Sequence, residues 1–177
     1  MMGEFATRHG AMLVVAFALG DARCALPQAD VRELLPLPDL WRPPGAPSAL
    51  AGFMRLGDAA VPVVKLQRLL GANEDGADAA SSLYHHLILL RGGPSGGEVA
   101  LLVPRVLDVV AVSPDRLRPS RSAETLNGCV EAEIEDGDGY IHLLATERIL
   151  LERERSALHE LTEAAQARIT EWAGGAW

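Results

Sequence analysis

Apolar residues in this chain come in short blocks separated by turn residues, a pattern of strands more than of helices. Residues 12–19 are rich in Val and Phe and end at Gly20-Asp21, after which residues 23–26 resume the apolar run. Residues 53–56 and 60–64 flank Gly57-Asp58, and residues 130–134 and 140–144 flank Glu-Asp-Gly-Asp-Gly at 135–139. Residues 87–90 and 99–103 flank a glycine-rich stretch at 91–97. Hairpins turning at Gly20-Asp21, Gly57-Asp58, 91–97 and Gly137-Asp138-Gly139 follow, since glycine supplies the positive φ that tight hairpins need. Each half of the chain thus holds about five short strands.

One segment breaks the pattern. Residues 146–172 contain no proline, end before Gly174 and Gly175, and carry Leu151, Leu158, Leu161, Ala165, Ile169 and Trp172 on one helical stripe. A helix of that length reaches about 40 Å, more than one small β unit needs as cover. The expectation is that its Leu151 end docks on the second half while Ile169 and Trp172 remain available to a partner.

The two halves resemble each other. Ala25 and Leu26 align with Ala100 and Leu101, Val31 with Val106, Glu33 with Asp108, and Leu34, Leu35 and Leu37 with Val109, Val110 and Val112. The correspondence resumes where residues 61–70 align with residues 141–150, both copies ending on Arg followed by two aliphatics. Order is kept through both blocks, as a structural duplication requires.

Composition narrows the function. With 49% hydrophobic and 23% charged residues the 177-residue chain is an ordinary globular protein, long enough to fold without metal or disulfide. A net charge of −8 argues against nucleic-acid binding, which needs a basic face. The one basic cluster, Arg116, Arg118 and Arg121, lies between Pro114 and Pro119 or just beyond them and reads as a solvated loop. Cys24 and Cys129 sit in apolar stretches without a second cysteine at metal-site spacing and read as reduced core residues. Arg8 and His9 precede the apolar run at 11–19 as in a signal peptide, but Glu4, Asp21 and Arg23 contradict that reading. No apolar run approaches the roughly 20 residues of a membrane helix.

Candidate chemistry is scattered. The glycines at 92–97 lack the Gly-Lys-Ser/Thr ending of a phosphate loop, and Asp136-Gly-Asp-Gly lacks the remaining ligands and closing glutamate of a calcium loop. His85 and His86 are adjacent on a strand and face opposite ways, while His159 falls on the polar side of the last helix. Glu131, Glu133 and Glu135 alternate along a strand and read as a solvated face. The enzymatic alternative is a small cysteine hydrolase pairing Cys24 or Cys129 with His142.

The order of elements, with Val-Arg-Glu-Leu at 31–34, Pro-Gly-Ala-Pro at 44–47 and Gly-Phe-Met-Arg-Leu-Gly-Asp-Ala-Ala-Val-Pro-Val-Val-Lys-Leu at 52–66, resembles the CheW family of chemosensory coupling proteins. The likeness runs from about residue 12 to 150 and includes residues 99–112 and the loop at 113–119. It implies a mostly β fold of two packed five-stranded SH3-like barrels, about 12–70 and 84–144, with strand exchange between them left open, short helices and the long helix at 146–172. It also implies a cytoplasmic, non-enzymatic adaptor without cofactor or metal. Such a protein is recruited to membrane-associated receptor arrays without inserting in the membrane. Its implied partners are a chemoreceptor's cytoplasmic tip and the regulatory domain of a CheA-type histidine kinase.

This chain departs from the family pattern. Gly57 stands where the family usually has an arginine important for receptor coupling, Lys65 replaces an aspartate, and Pro104-Arg105 replaces Asp-Gly. The resemblance places partner contacts at Val31, Glu33, Gly52, Gly57, Asp58, Val106 and Val109. Arg55, two residues before Gly57, is either a relocated contact or a local counter-charge to Asp58. The departures favour a specialised pathway, and leave as alternative a kinase-binding module without receptor contact.

Overall fold

The computed structural model describes residues 10–72, 85–92, 97–120 and 125–173. Arg8, His9, Glu4, Arg121, residues 93–96 and Gly174-Gly175 lie outside them. The first half folds as strands β1 (Met12–Leu19), β2 (Ala22–Pro27), β3 (Val31–Pro36), β4 (Leu50–Leu56) and β5 (Ala59–Lys65), then a one-turn helix α1 (Leu66–Leu69). The second half gives β6 (His86–Leu90), β7 (Val99–Val103), β8 (Arg105–Val112), β9 (Leu117–Pro119), β10 (Val130–Asp136) and β11 (Gly139–Leu144). A 3₁₀ turn at Thr146–Arg148 and helix α2 (Glu152–Glu171) close the chain.

Three hairpins turn on a Gly-Asp pair whose glycine has φ near +60°: Gly20-Asp21, Gly57-Asp58 and Gly137-Asp138. β6 and β7 pair antiparallel across the glycine-rich segment.

The strands form two mixed sheets that interleave the halves of the chain. Sheet A runs β8-β1-β2-β11-β10-β9 and sheet B runs β3-β6-β7-β5-β4. The first hairpin of each half thus joins the later strands of the other half. The cause is the short turn at Gln28–Asp30, which passes the chain from β2 in one sheet to β3 in the other. Backbone pairing leaves both sheets open, with six and five strands, where closed five-stranded barrels were expected.

Pairing reproduces the sequence repeat. The parallel contact of β5 with β7 sets Val63 beside Ala100, and that of β11 with β2 sets Leu143 beside Ala25. These are equivalent positions in the alignment. The bulges recur too: the pairing skips Ala51 in β4 and its counterpart Glu131 in β10.

One face of each sheet gathers a private apolar cluster, around Val14, Ala25, Ile134 and Leu143 in sheet A and around Met54, Val63, Leu87 and Ala100 in sheet B. A third cluster lies between the sheets and takes Val15, Phe17 and Leu26 from one, Ile88, Val99 and Leu101 from the other, and Leu158, Ala165 and Ile169 from α2.

The C-terminal helix begins at Glu152, six residues later than expected. Ile149 is buried in the shared core first, and the helix then starts behind Leu151, whose N–H donates to Glu154 Oε2 at 2.8 Å. Docking also differs. α2 packs on β5, in the first half, with Leu158, Leu161, Ala165 and Ile169, spaced by three or four residues, turned to the shared core. Leu151 is 49% exposed and Trp172 62%, so of the two expected free residues only Trp172 is open to solvent.

Candidate functional site: two bulged edge strands and a hairpin

β3 and β8 each form an edge of their sheet and carry the same irregularity. Val31 opposes Leu90 and Glu33 opposes Leu89, leaving Arg32 as the extra residue; Val106 opposes Phe17 and Asp108 opposes Ala16, leaving Leu107 extra. A bulge resets the alternation of side chains. Val31 and Leu34, and likewise Val106 and Val109, therefore share a face although they are three apart. Their cross-strand neighbours Leu90, Ile88, Phe17 and Val15 all belong to the core between the sheets.

Burial separates the roles. Val31 is 7% exposed and Val106 is half-buried against the shared core, whereas Val109 is 43% and Leu34 37% exposed. The edge of the shared core therefore reaches solvent at Leu34 and Val109. Leu34 escapes a reading by motif, but its alignment with Val109 marks it. Glu33 is exposed, and Arg32 beside it pairs with Glu98. Asp108 bends back so that its Oδ1 accepts from the Val109 N–H at 2.7 Å. That contact satisfies a donor on the free edge of sheet A, a protection that unpaired strands need.

Arg55, Gly57 and Asp58 come together in the β4–β5 turn. Arg55 Nε donates to the Gly57 carbonyl at 2.9 Å and Nη2 lies 3.4 Å from Asp58 Oδ1. The guanidinium thus folds over its own turn. Gly52 sits at the β4 bulge with φ +152°, and a Cβ there would lie 2.7 Å from the Trp41 carbonyl oxygen. That carbonyl accepts from the Phe53 N–H at 2.7 Å, so glycine lets the Trp41 segment cover the edge of sheet B. In sheet B, β3 and β4 are opposite edges, so pairing separates Val31 and Glu33 from the Arg55 turn.

The basic cluster is neutralised locally. Arg116 donates to the Glu135 carbonyl from Nε and Nη2 at 3.0 and 2.7 Å, Arg118 pairs with Glu135 at 2.9 Å, and Asp136 lies 2.6 Å from Arg23 and 3.6 Å from Arg116. Asp115 is held below the usual carboxylate range, first by the Ser113 side chain.

The thiol candidates do not form a reactive site. Register sets Cys24 beside His142 and His142 beside Glu133, in one row across β2, β11 and β10. Yet Cys24 is fully buried and desolvation pushes its pKa up to about 12. Nearly all of it stays protonated at neutral pH, the opposite of an activated nucleophile. Cys129 is also pushed up by burial, and its thiol lies 3.1 Å from the Arg148 carbonyl. Glu133 corrects the solvated-face reading: it is 6% exposed and 3.9 Å from His142 Nδ1. Among the described residues no three His, Cys, Asp or Glu side chains gather as a metal site, and no helix is long and apolar enough to cross a membrane.

Comparison with known proteins agrees with this architecture. A family model described as CheW-like domain matches residues 13–154. The fold is similar to the crystal structure of the scaffolding protein TtCheW from Thermoanaerobacter tengcongensis, with a TM-score of 0.66 at 20% identity, covering 77% of this chain and 85% of that one. No curated protein sequence matches this chain.

Proposed function

The chain belongs to the CheW-like domain family, and on that premise we propose that it is a non-catalytic adaptor joining a chemoreceptor's cytoplasmic tip to the regulatory domain of a CheA-type histidine kinase. The observation that carries this reading is the pair of equivalent bulged edge strands. Each brings an apolar residue, Leu34 or Val109, from the core between the sheets out to solvent. Apolar side chains at such an edge suit the helix-in-groove mode of recognition. Leu34, Val109 and Glu33 are the contacts, Val31 and Val106 hold them from the shared core, and Gly52 shapes the edge of sheet B. The barrel form of each sheet belongs to the same proposal and is supported by the private cluster gathered on one face of each. The protein works in the cytoplasm and is recruited to membrane-associated arrays through the receptor.

A second reading has its own observation. Gly57 has no side chain where the family usually places an arginine, and Arg55 is engaged by its own turn. In that reading the protein binds the kinase and has lost the receptor.

The experiment measures binding of the full chain to a receptor tip fragment and, separately, to a kinase regulatory domain, both from the native host. Binding to both supports the adaptor; binding to the kinase domain alone selects the second reading, and binding to neither removes both. Arg55→Glu, checked for unchanged stability, then locates the hairpin contact. Intact binding to each partner takes Arg55, Gly57 and Asp58 out of the interface.

A further inference from the structure

The duplication gives this protein two equivalent hairpins turning on Gly-Asp, and the chain anchors them differently. Through the parallel pairings, Gly57, Asp58 and Ala60 correspond to Gly137, Asp138 and Tyr140. The β10–β11 hairpin is anchored from its own sheet. Arg23, on β2, reaches Asp136 at 2.6 Å, and Arg116, just before β9, donates twice to the Glu135 carbonyl. The β4–β5 hairpin is instead held by α2, a segment that follows both copies of the repeat and belongs to neither.

That hold has the chemistry of a missing strand. Pairing of β5 with β7 starts at Val63, so residues 58–60 extend past β7 with no strand on that side. Gln166 fills the place: its Oε1 accepts from the Ala60 N–H at 2.9 Å and its Nε2 donates to the Asp58 carbonyl at 2.8 Å. A residue of a parallel neighbouring strand would make these same two bonds on either side of Ala59, since it too offers one donor and one acceptor. The amide is preset for this role. Ala165 beside it and Ile169 three residues on are buried in the shared core together with Ala60, and Arg168 lies 4.9 Å over the Trp41 ring.

Arg55 closes the turn from within, donating to the Gly57 carbonyl, and Gln166 closes it from outside. The Asp58 side chain is left fully exposed at the tip. We propose that Gln166 is a positioning residue for partner binding: through it α2 presents the β4–β5 turn in one conformation, so that Gly57 and Asp58 meet a protein partner already ordered. The inference rests on the adaptor reading, in which this hairpin touches a partner. Without the amide, the Asp58 carbonyl and the Ala60 N–H turn to water, the turn samples other orientations, and binding must reorder it. The helix thereby distinguishes two hairpins that the duplication made alike.

The test compares the full chain with Gln166→Met, which keeps the length of the side chain and removes both bonds, at a temperature where denaturant unfolding shows both proteins folded. Hydrogen exchange is measured in the free chain, and affinity is measured for the receptor tip fragment and the kinase regulatory domain of the native host. Exchange at Ala60 is expected to rise at least about threefold more than exchange in β7, and affinity for one partner to fall about three- to tenfold, the worth of one or two net hydrogen bonds. A residue with a structural role alone lowers the folded fraction and leaves the affinity of the folded protein unchanged. Combined with Arg55→Glu, the loss of affinity is expected to be smaller than the sum of the two single losses, because both residues act on one turn. Unchanged exchange at Ala60, unchanged affinity for both partners, or additive losses would overturn the proposal. If Arg55→Glu alone leaves both affinities intact, the hairpin lies outside the interface and the positioning role falls while the adaptor reading stands; if the parent chain binds neither partner, both fall.

Discussion

Gln166 donates from Nε2 to the Asp58 carbonyl at 2.8 Å, joining the C-terminal helix to the β4–β5 turn across 108 residues of sequence. Its Oε1 accepts from the Ala60 N–H at 2.9 Å, so one amide closes both backbone groups flanking the turn. Gln166→Ala is expected to lower stability by about 1–2 kcal/mol, chiefly because the part-buried Ala60 N–H loses its acceptor. Hydrogen exchange at Ala60 is expected to accelerate; an unchanged rate there would mean that the helix does not hold the hairpin.

The same helix makes a prediction about its end. Ile169 is buried in the shared core and Trp172 is exposed, although both fall on the apolar stripe. Ile169→Ala is expected to cost about 2–4 kcal/mol in denaturant unfolding. Trp172→Ala is expected to stay within about 0.5 kcal/mol of the parent.

Gly52→Ala tests whether that glycine acts through structure. The added carbon meets the Trp41 carbonyl at 2.7 Å in a backbone conformation unfavourable to other residues. A loss of about 1–3 kcal/mol is expected, with partner binding weakened only as far as the folded fraction falls. Normal stability with lost binding would make Gly52 a direct contact.

Val109→Glu probes the exposed edge. Its side chain is open to solvent, so stability is expected to change by less than about 0.5 kcal/mol, while binding of a partner helix at this edge is lost. Val106→Glu, at the half-buried position, is expected to destabilise the fold instead.

The cysteines predict a pH dependence. Burial raises the Cys24 pKa to about 12, against 9.0 for an exposed thiol. Because the folded pKa is raised, this contribution to stability is complete below pH 9 and is lost as pH rises through 9 towards 12. Thiol labelling at pH 8 is expected to be slow at both cysteines in the folded chain and rapid in denaturant. Fast single-site labelling of the folded chain would revive a reactive thiol.

The strands, the Gly-Asp turns and the duplication are legible in the sequence. These depend on local alternation, on glycine's access to positive φ, and on matched residues that the register later places at equivalent positions. The sequence also carried the family resemblance, in Val-Arg-Glu-Leu at 31–34, Pro-Gly-Ala-Pro at 44–47 and the run at 52–66. The tertiary structure alone decided which strands share a sheet, since β2 passing into the opposite sheet through Gln28–Asp30 is a matter of chain direction that no local pattern encodes. It decided that α2 packs on β5 and buries Ile169, because an amphipathic stripe states that a face will be covered and not by what.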